Sequence, residues 1–264
     1  MSSLPFTLKV FMSLLHAELM AFRQVMVGKI IDTVIWIFVS GVVFRYIMPA
    51  FGVPPNFIVV LVTGLLGSSG IVELWTNIVG FMADITGDRP ISYELTLPIP
   101  PALIFIKKAV FFALTSAYIS MIALPCCKIL LWDTLPLTPL VFIKFALIFF
   151  LTNLFAGMAA VYVASFIPNM SALTHLWMRI IFPLWFFGGF QSTWHSLRAM
   201  CPPLAYLNLC NPFVYMLEGT RAALLIDDTI PTLPFWASCS VLLGLIVLFA
   251  VFAVRRLKHR LDCV

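Results

Sequence analysis

The sequence predicts an all-α integral membrane protein with six transmembrane helices. Of its 264 residues, 62% are hydrophobic and 10% are charged, and the mean hydropathy is +1.07. Soluble domains have roughly 45–50% apolar and about 25% charged residues. Because a bilayer core takes about 20 helical residues per crossing, we expect about six spans and no soluble catalytic domain. The chain has 16 Lys and Arg against 11 Asp and Glu. In a membrane protein this basic excess first indicates how the chain is oriented in the membrane, and it does not predict nucleic-acid binding.

The order of apolar and polar segments defines the elements. Residues 1–28 have apolar side chains at three- and four-residue steps with charges between them, which predicts an amphipathic interfacial helix. The remaining chain, 29–264, is predicted to be one domain. Its spans are expected near 30–49, 56–83, 108–131, 140–166, 171–191 and 233–254.

Two connections between the spans stand out. The stretch 84–101 is charged and bounded by prolines. The outer segment 192–230, between spans five and six, is too polar and proline-broken to cross but apolar enough to re-enter the outer leaflet. We therefore expect a re-entrant helical hairpin there. Backbone that enters the membrane without crossing it is tolerated only where protein buries it.

The distribution of basic residues predicts the orientation. With the N-terminus inside, five of the 16 Lys and Arg fall outside and 11 inside. The outer five are Arg45, Lys128, Lys144, Arg198 and Arg221. By the positive-inside rule, both termini and the 84–101 loop are expected in the cytoplasm.

Motifs for chemistry are missing from the sequence. No GxxxxGK[ST] stretch could cradle a phosphate, and the four histidines are scattered without a nucleophile motif. We therefore expect no catalytic residue, no cofactor and no metal site in this chain. Cys201 and Cys210 could pair in an oxidising compartment or remain free.

Three stretches resemble a known family. They are NPFVYMLEGTR at 211–221, PLWFFGG at 183–189, and LPIP at 97–100 followed by Lys107-Lys108. In this order they resemble the type-2 exporter permeases of ATP-binding-cassette transporters. The stretch DRPISYE at 88–94 departs from the Gly-Thr and Glu that the family often has ahead of its Leu-Pro pair. The resemblance implies a homodimeric, twelve-span permease driven by two copies of a separate cytosolic ATPase, which would bind ATP and Mg²⁺.

The position of the 84–101 loop in this resemblance makes it the candidate ATPase-coupling element. A short amphipathic helix there could lodge in a groove on the ATPase, and the alternative is a solvated turn. The candidate contact residues are Asp88, Arg89, Ile91, Tyr93, Glu94 and Leu97.

Charged and aromatic residues inside the spans are the next candidates. Glu73 and Arg179 lie at similar depth on different spans, about 16 Å and about 12 Å from the inner side at 1.5 Å per residue. They are expected to form an ion pair or to line the substrate path. The fifth-span aromatics could line that path too, or serve packing and interfacial anchoring. They are Trp185, Phe186, Phe187 and Phe190.

In the outer segment, residues 211–221 are expected to form a short helix capped by Asn211. Glu218 and Arg221, three residues apart, can face each other on it. An outer gate would then comprise Asn211, Pro212, Tyr215, Glu218 and Arg221. Alternatively, Arg221 only anchors the helix at the headgroups.

Together these features predict a permease subunit that exports a lipid-like, lipid-linked or amphipathic drug-like substrate by alternating access. It is expected in a bacterial-type cytoplasmic (inner) membrane, in contact with membrane lipid. A lipid-linked polysaccharide exporter is the alternative within transport. Outside transport by ATP hydrolysis, an ATP-independent channel or structural subunit remains open, whereas a membrane-embedded transferase would need a polar catalytic cluster that the sequence lacks.

Overall fold

The computed structural model describes residues 4–87, 90–130, 138–225 and 230–261, and these residues form helices and no strand. Six helical stretches within them are long and apolar enough to cross a membrane, which confirms the predicted fold class. They are Phe6–Ala50, Phe57–Thr86, Pro101–Leu130, Pro139–Ala164, Met170–Phe190 and Phe235–Arg260. Each overlaps one of the predicted spans.

The first helix is longer than predicted. Helix α1 runs without a break over Leu4–Val42, and a π-helical turn at Val43–Ile47 carries it on to a last turn at Met48–Ala50. At 1.5 Å per residue, α1 is about 58 Å long. The helix does not end at residue 28, because no proline lies between Pro5 and Pro49 and a glycine such as Gly28 costs a helix only about 1 kcal/mol.

The second span is the centre of the bundle. It is helix α2, Pro55–Thr86. In its most apolar stretch of 18 residues, 83% is buried inside the protein, a larger share than in any other candidate span of the described residues. Short helix α3, Pro90–Leu95, follows it, and the third span consists of α4, Pro101–Ser120, and α5, Ala123–Leu130. The fourth span is α6, Pro139–Ala164.

Helices α4 and α6 pack very closely. A Cβ atom added at Gly157 of α6 would lie only 2.4 Å from the carbonyl oxygen of Ala109 in α4. Only glycine allows the two backbones to approach this far.

The fifth span is a broken helix. Helix α7, Met170–Leu176, gives way to a π-helical segment at Trp177–Ile181, then to α8, Phe182–Trp185, and to a second π-helical segment at Phe186–Phe190. Pro183 lacks the backbone N–H that a regular helix needs. Near the end of the span lies Gly189, whose φ of +99° favours glycine.

Three short helices fill the connection to the sixth span. They are α9, Trp194–Met200, α10, Pro202–Asn208, and α11, Pro212–Leu224. Helix α11 packs against α2, α6 and the sixth span α12, Phe235–Arg260. Helices α9 and α10 cover it with a small separate core of Trp194, Ala205 and Val214.

Candidate functional site

A fully buried ion pair lies on α11. Arg221 Nη1 is 3.1 Å from Glu218 Oε1, and neither side chain is exposed to solvent. The same guanidinium donates hydrogen bonds to the carbonyl oxygens of Ser192 at 3.1 Å, Phe190 at 3.2 Å and Val60 at 3.3 Å. The predicted pairing of Glu218 with Arg221 is therefore present. The alternative that Arg221 only anchors the helix at the headgroups is wrong, because its charge is enclosed by protein.

Glu218 holds two further segments. Its Oε1 accepts the backbone N–H of Trp194 at 3.2 Å, and its Oε2 accepts that of Leu233 at 3.0 Å. Burial lowers the pKa of the Arg221 guanidinium below its ordinary value, and the charge and hydrogen bond of Glu218 act in the opposite direction. The pair thus joins α2, the end of the fifth span, the start of α9 and the segment before α12.

Glycine makes room for this ion pair on α2. A Cβ atom at Gly64 would lie 2.2 Å from the carbonyl oxygen of Phe190 and 2.7 Å from Nη2 of Arg221. Any larger residue at this position would push the end of the fifth span and the guanidinium away from α2.

Two asparagines fasten α10 and α11 to the broken fifth span. Asn211 accepts the N–H of Phe213 at 3.1 Å, so it caps α11 as predicted, and its Nδ2 donates to the carbonyl oxygen of Leu184 at 2.6 Å. Asn208 donates to the carbonyl oxygen of Phe187. Carbonyl oxygens in and beside the second π-helical segment thereby gain side-chain donors from α10 and the cap of α11.

Of the other two gate candidates, Pro212 begins α11 and Tyr215 forms its hydrogen bond elsewhere. Its hydroxyl donates to the carbonyl oxygen of Leu209 at 2.8 Å rather than to the ion pair. Burial, and to a smaller extent the nearby Cys210, raises the pKa of Tyr215. Cys210 and Cys201 are both free thiols.

A second group of charges lies at the opposite end of α2. We call it the charge cluster, and it comprises Glu18, Asp84, Glu94, Lys107 and Lys108. Lys107 Nζ is 3.0 Å from Glu18 and 2.5 Å from Glu94, while Lys108 Nζ is 2.5 Å from Glu18 and 2.6 Å from Asp84. Both lysines are buried. The charge cluster therefore connects short helix α3, through Glu94, to α1, α2 and α4.

The carboxylates of the charge cluster outnumber its ammonium groups by three to two. One oxygen of Glu18 and one of Glu94 are buried without a hydrogen-bond partner. A buried charge is costly unless it is paired, so the position of α3 depends on these contacts.

The coupling candidates separate into buried and exposed residues. Ile91 is fully buried, Leu97 packs against the core, and Glu94 belongs to the charge cluster. Tyr93 is 70% exposed. Asp88 and Arg89 lie outside the described residues.

The intramembrane candidates are not paired as expected. The partner of Glu73 is Lys29 of α1, whose Nζ is 2.8 Å from Glu73 Oε2. Arg179 is exposed and lines a largely apolar groove of about 570 Å³ beside the end of α6. The predicted ion pair between Glu73 and Arg179 is wrong, because α1 approaches the face of α2 that carries Glu73 and supplies the nearer cation.

The four fifth-span aromatics differ in their surroundings. Trp185 and Phe190 are buried, with ring centroids 4.7 Å apart, and the indole N–H of Trp185 donates to Ser68 Oγ at 2.8 Å. Phe186 and Phe187 are 37% and 54% exposed. Packing within the chain therefore accounts for the first two, and the second two are free to contact a substrate or a partner.

Sequence reasoning missed two of the five residues of the charge cluster, Glu18 and Asp84. Lys107 and Lys108 belong to the family resemblance and Glu94 is a coupling candidate, but their positions in the sequence do not show which carboxylates the lysines pair with. The available signal was the run FIKKAVFF, where two adjacent lysines within an apolar stretch need carboxylates from other segments.

The comparisons with known proteins gave one finding. The family model described as ABC-2 type transporter matches residues 5–225, which is more than half of the chain. Neither the curated proteins nor the solved structures contain a match. This match, together with six candidate spans in the described residues, identifies a multi-pass membrane subunit that works with a partner ATP-binding-cassette subunit. The chain belongs to the ABC-2 type transporter family, as a transmembrane permease subunit.

Proposed function

We propose that this permease exports an amphipathic molecule, either lipid-like, lipid-linked or drug-like, from the cytoplasm or inner leaflet by alternating access. Two copies of the permease form the pathway, and two copies of a cytosolic ATPase bind ATP and Mg²⁺ and drive it. The membrane is a bacterial-type cytoplasmic membrane, and both termini face the cytoplasm.

The observation that carries this proposal is the connection of α3 to the spans. Helix α3 presents Tyr93 outward, with 70% of that side chain exposed, while Ile91 and Glu94 hold it to the protein. A short helix with an exposed aromatic residue suits docking into a groove on an ATPase. Through the charge cluster, a displacement of α3 would act on α1, α2 and α4 together.

The exposed faces of two spans support a dimer. In the first and the fifth span, only 17% of the most apolar stretch of 18 residues is buried inside the protein, whereas 83% is buried in the second span. Their exposed residues include Phe187 and Arg179 on the fifth span and Tyr46 on the first. A charged group such as Arg179 at membrane depth normally faces protein or water. A second copy of the chain would provide either a covering surface or a shared water-filled path.

The contacts at the end of the bundle opposite α3 support an outer gate. The Glu218–Arg221 pair holds α11 to the end of the fifth span and to α2. Because the fifth span is broken by two π-helical segments, it can bend there with fewer lost helical hydrogen bonds than a regular helix. We propose that bending at these segments, below a fixed α11, opens and closes the exit.

Docking of the ATPase tests the proposal. Tyr93→Ala should abolish co-purification of the partner ATPase with the permease, since it removes the exposed aromatic residue of α3. Tyr206→Ala is the matched control, because Tyr206 is 52% exposed on α10 at the other end of the bundle. Normal ATPase binding by Tyr93→Ala, or its loss in Tyr206→Ala, contradicts the proposal. A wild-type permease that binds no ATPase would favour an ATP-independent channel.

Coupling through the charge cluster has its own test. Glu94→Gln keeps the shape of the side chain but removes the charge that holds Lys107. The ATPase should still bind, because Tyr93 is unchanged, while the permease should no longer alter the rate of ATP hydrolysis. Unchanged regulation of ATP hydrolysis in reconstituted Glu94→Gln complexes would exclude this route of coupling.

A further inference from the structure

A cavity of about 340 Å³ that contains several charged and hydroxyl-bearing residues lies between α1 and α2, within two candidate spans. Its lining includes Lys29, Asp32, Thr33, Trp36, Ser69 and Glu73. Cavities that bind small molecules have volumes of about 300–1,000 Å³. This cavity therefore has room for a polar headgroup and the first carbons of its apolar chain.

The charges in the cavity do not cancel. Lys29 and Glu73 neutralise each other at 2.8 Å, and Glu73 is almost fully buried. Asp32 is exposed, and no ion pair or hydrogen bond from the described residues reaches its carboxylate. Asp32 therefore leaves the cavity with one uncompensated negative charge. A carboxylate at membrane depth avoids lipid and favours a charged partner.

Two of the three hydroxyl groups that line the cavity, those of Thr33 and Ser69, are poor donors to a ligand; the third belongs to Thr76. Thr33 Oγ1 donates to the carbonyl oxygen of Lys29 at 2.9 Å, and Ser69 Oγ donates to that of Leu66 at 2.8 Å. With their protons committed, both oxygens can offer only lone pairs to a ligand. Trp36 also lines the cavity, and indole rings attract cations to their faces. The cavity thus suits a cation that donates N–H bonds.

We propose that this cavity binds the protonated amine of an amphipathic cation, with Asp32 as its counter-ion. The proposal rests on the proposed export function and assigns its substrate class. Lys29 acts as a positioning residue: its ammonium is held by Glu73 and lies 5.8 Å from the ring centroid of Phe22. The Asp32 carboxylate is consequently left for the ligand.

Binding of three eight-carbon probes tests the substrate class. The permease is placed in nanodiscs of phosphatidylcholine, and saturable binding of octylammonium, octanol and octanoate is measured by calorimetry. Octylammonium should bind at least about tenfold more tightly than octanol, because only its hydrogen bond to Asp32 joins two opposite charges. Octanol or octanoate binding as tightly as octylammonium to the wild type overturns the proposal, whatever the variants do.

Variants at one position identify the counter-ion. Asp32→Asn should weaken octylammonium binding about tenfold and leave octanol binding unchanged, since it removes one charge from a charge-assisted bond. Asp32→Glu is the matched control and should retain the preference for octylammonium. Equal octylammonium affinity in Asp32→Asn and the wild type overturns the proposal.

Failure of this inference can be told apart from failure of the export proposal. ATPase co-purification is measured on the wild type and on Asp32→Asn. If the ATPase binds both proteins but octylammonium is not preferred, the cavity proposal alone is overturned. If the wild type binds no ATPase, the export proposal fails, and with it the assignment of octylammonium-like cations as its substrate.

Discussion

The buried ion pair of α11 gives the strongest prediction about stability. Arg221→Met removes the guanidinium and leaves the carboxylate of Glu218 fully enclosed without its counter-charge. Breaking a buried pair on one side costs about 3–5 kcal/mol, whereas removing both charges costs less. The carbonyl oxygens of Val60 and Phe190 also lose a donor. We therefore expect Arg221→Met to lower the free energy of unfolding by about 3–5 kcal/mol.

Denaturation in detergent, followed by tryptophan fluorescence, measures this loss. The double variant Glu218→Gln with Arg221→Met should lose less than the sum of the single variants, by about 1 kcal/mol or more. Arg198→Met is the control, because Arg198 is exposed and stacks over Trp194 at 5.5 Å, a contact of about 0.5–1 kcal/mol. Additive losses, or a loss below about 1 kcal/mol for Arg221→Met, would refute the reasoning.

Two further predictions concern packing in the bundle. Gly157→Ala should destabilise the protein by about 1–3 kcal/mol, because its Cβ would lie 2.4 Å from the carbonyl oxygen of Ala109 and α4 and α6 would have to separate. Gly80→Ala is the control in the same denaturation assay and should be neutral or stabilising, because its Cβ would meet nothing within 4 Å. Equal effects of Gly157→Ala and Gly80→Ala would contradict the close approach of α4 and α6. Trp185→Phe should cost about 1 kcal/mol through loss of its hydrogen bond to Ser68, and Ser68→Ala should add little to that variant; full additivity would show that the bond contributes nothing.

Features that depend on local sequence could be predicted. Apolar runs bounded by prolines indicate the six spans, because hydropathy and helix breaking act over a few residues. Asn211 caps α11 as expected, and the pairing of Glu218 with Arg221 follows from their three-residue spacing on one helix.

Contacts between distant segments could not be predicted. Equal depth suggested Arg179 as the partner of Glu73, but depth does not say which span faces which, and Lys29 of α1 lies nearer. The charges of residues 1–28 suggested an interfacial helix. In the structure Glu18 pairs with Lys107 and Lys108, and α1 continues past these charges to Val42.

The central claim, that α3 is the docking site of the ATPase, is tested most directly by photo-crosslinking. A photoreactive phenylalanine analogue is placed at Tyr93 and, in a second protein, at Met200. Both positions are highly exposed, at 70% and 86%, and they lie at opposite ends of the bundle. The account predicts a crosslink to the partner ATPase from position 93 and none from position 200. A crosslink from position 200 but not from position 93 would contradict it.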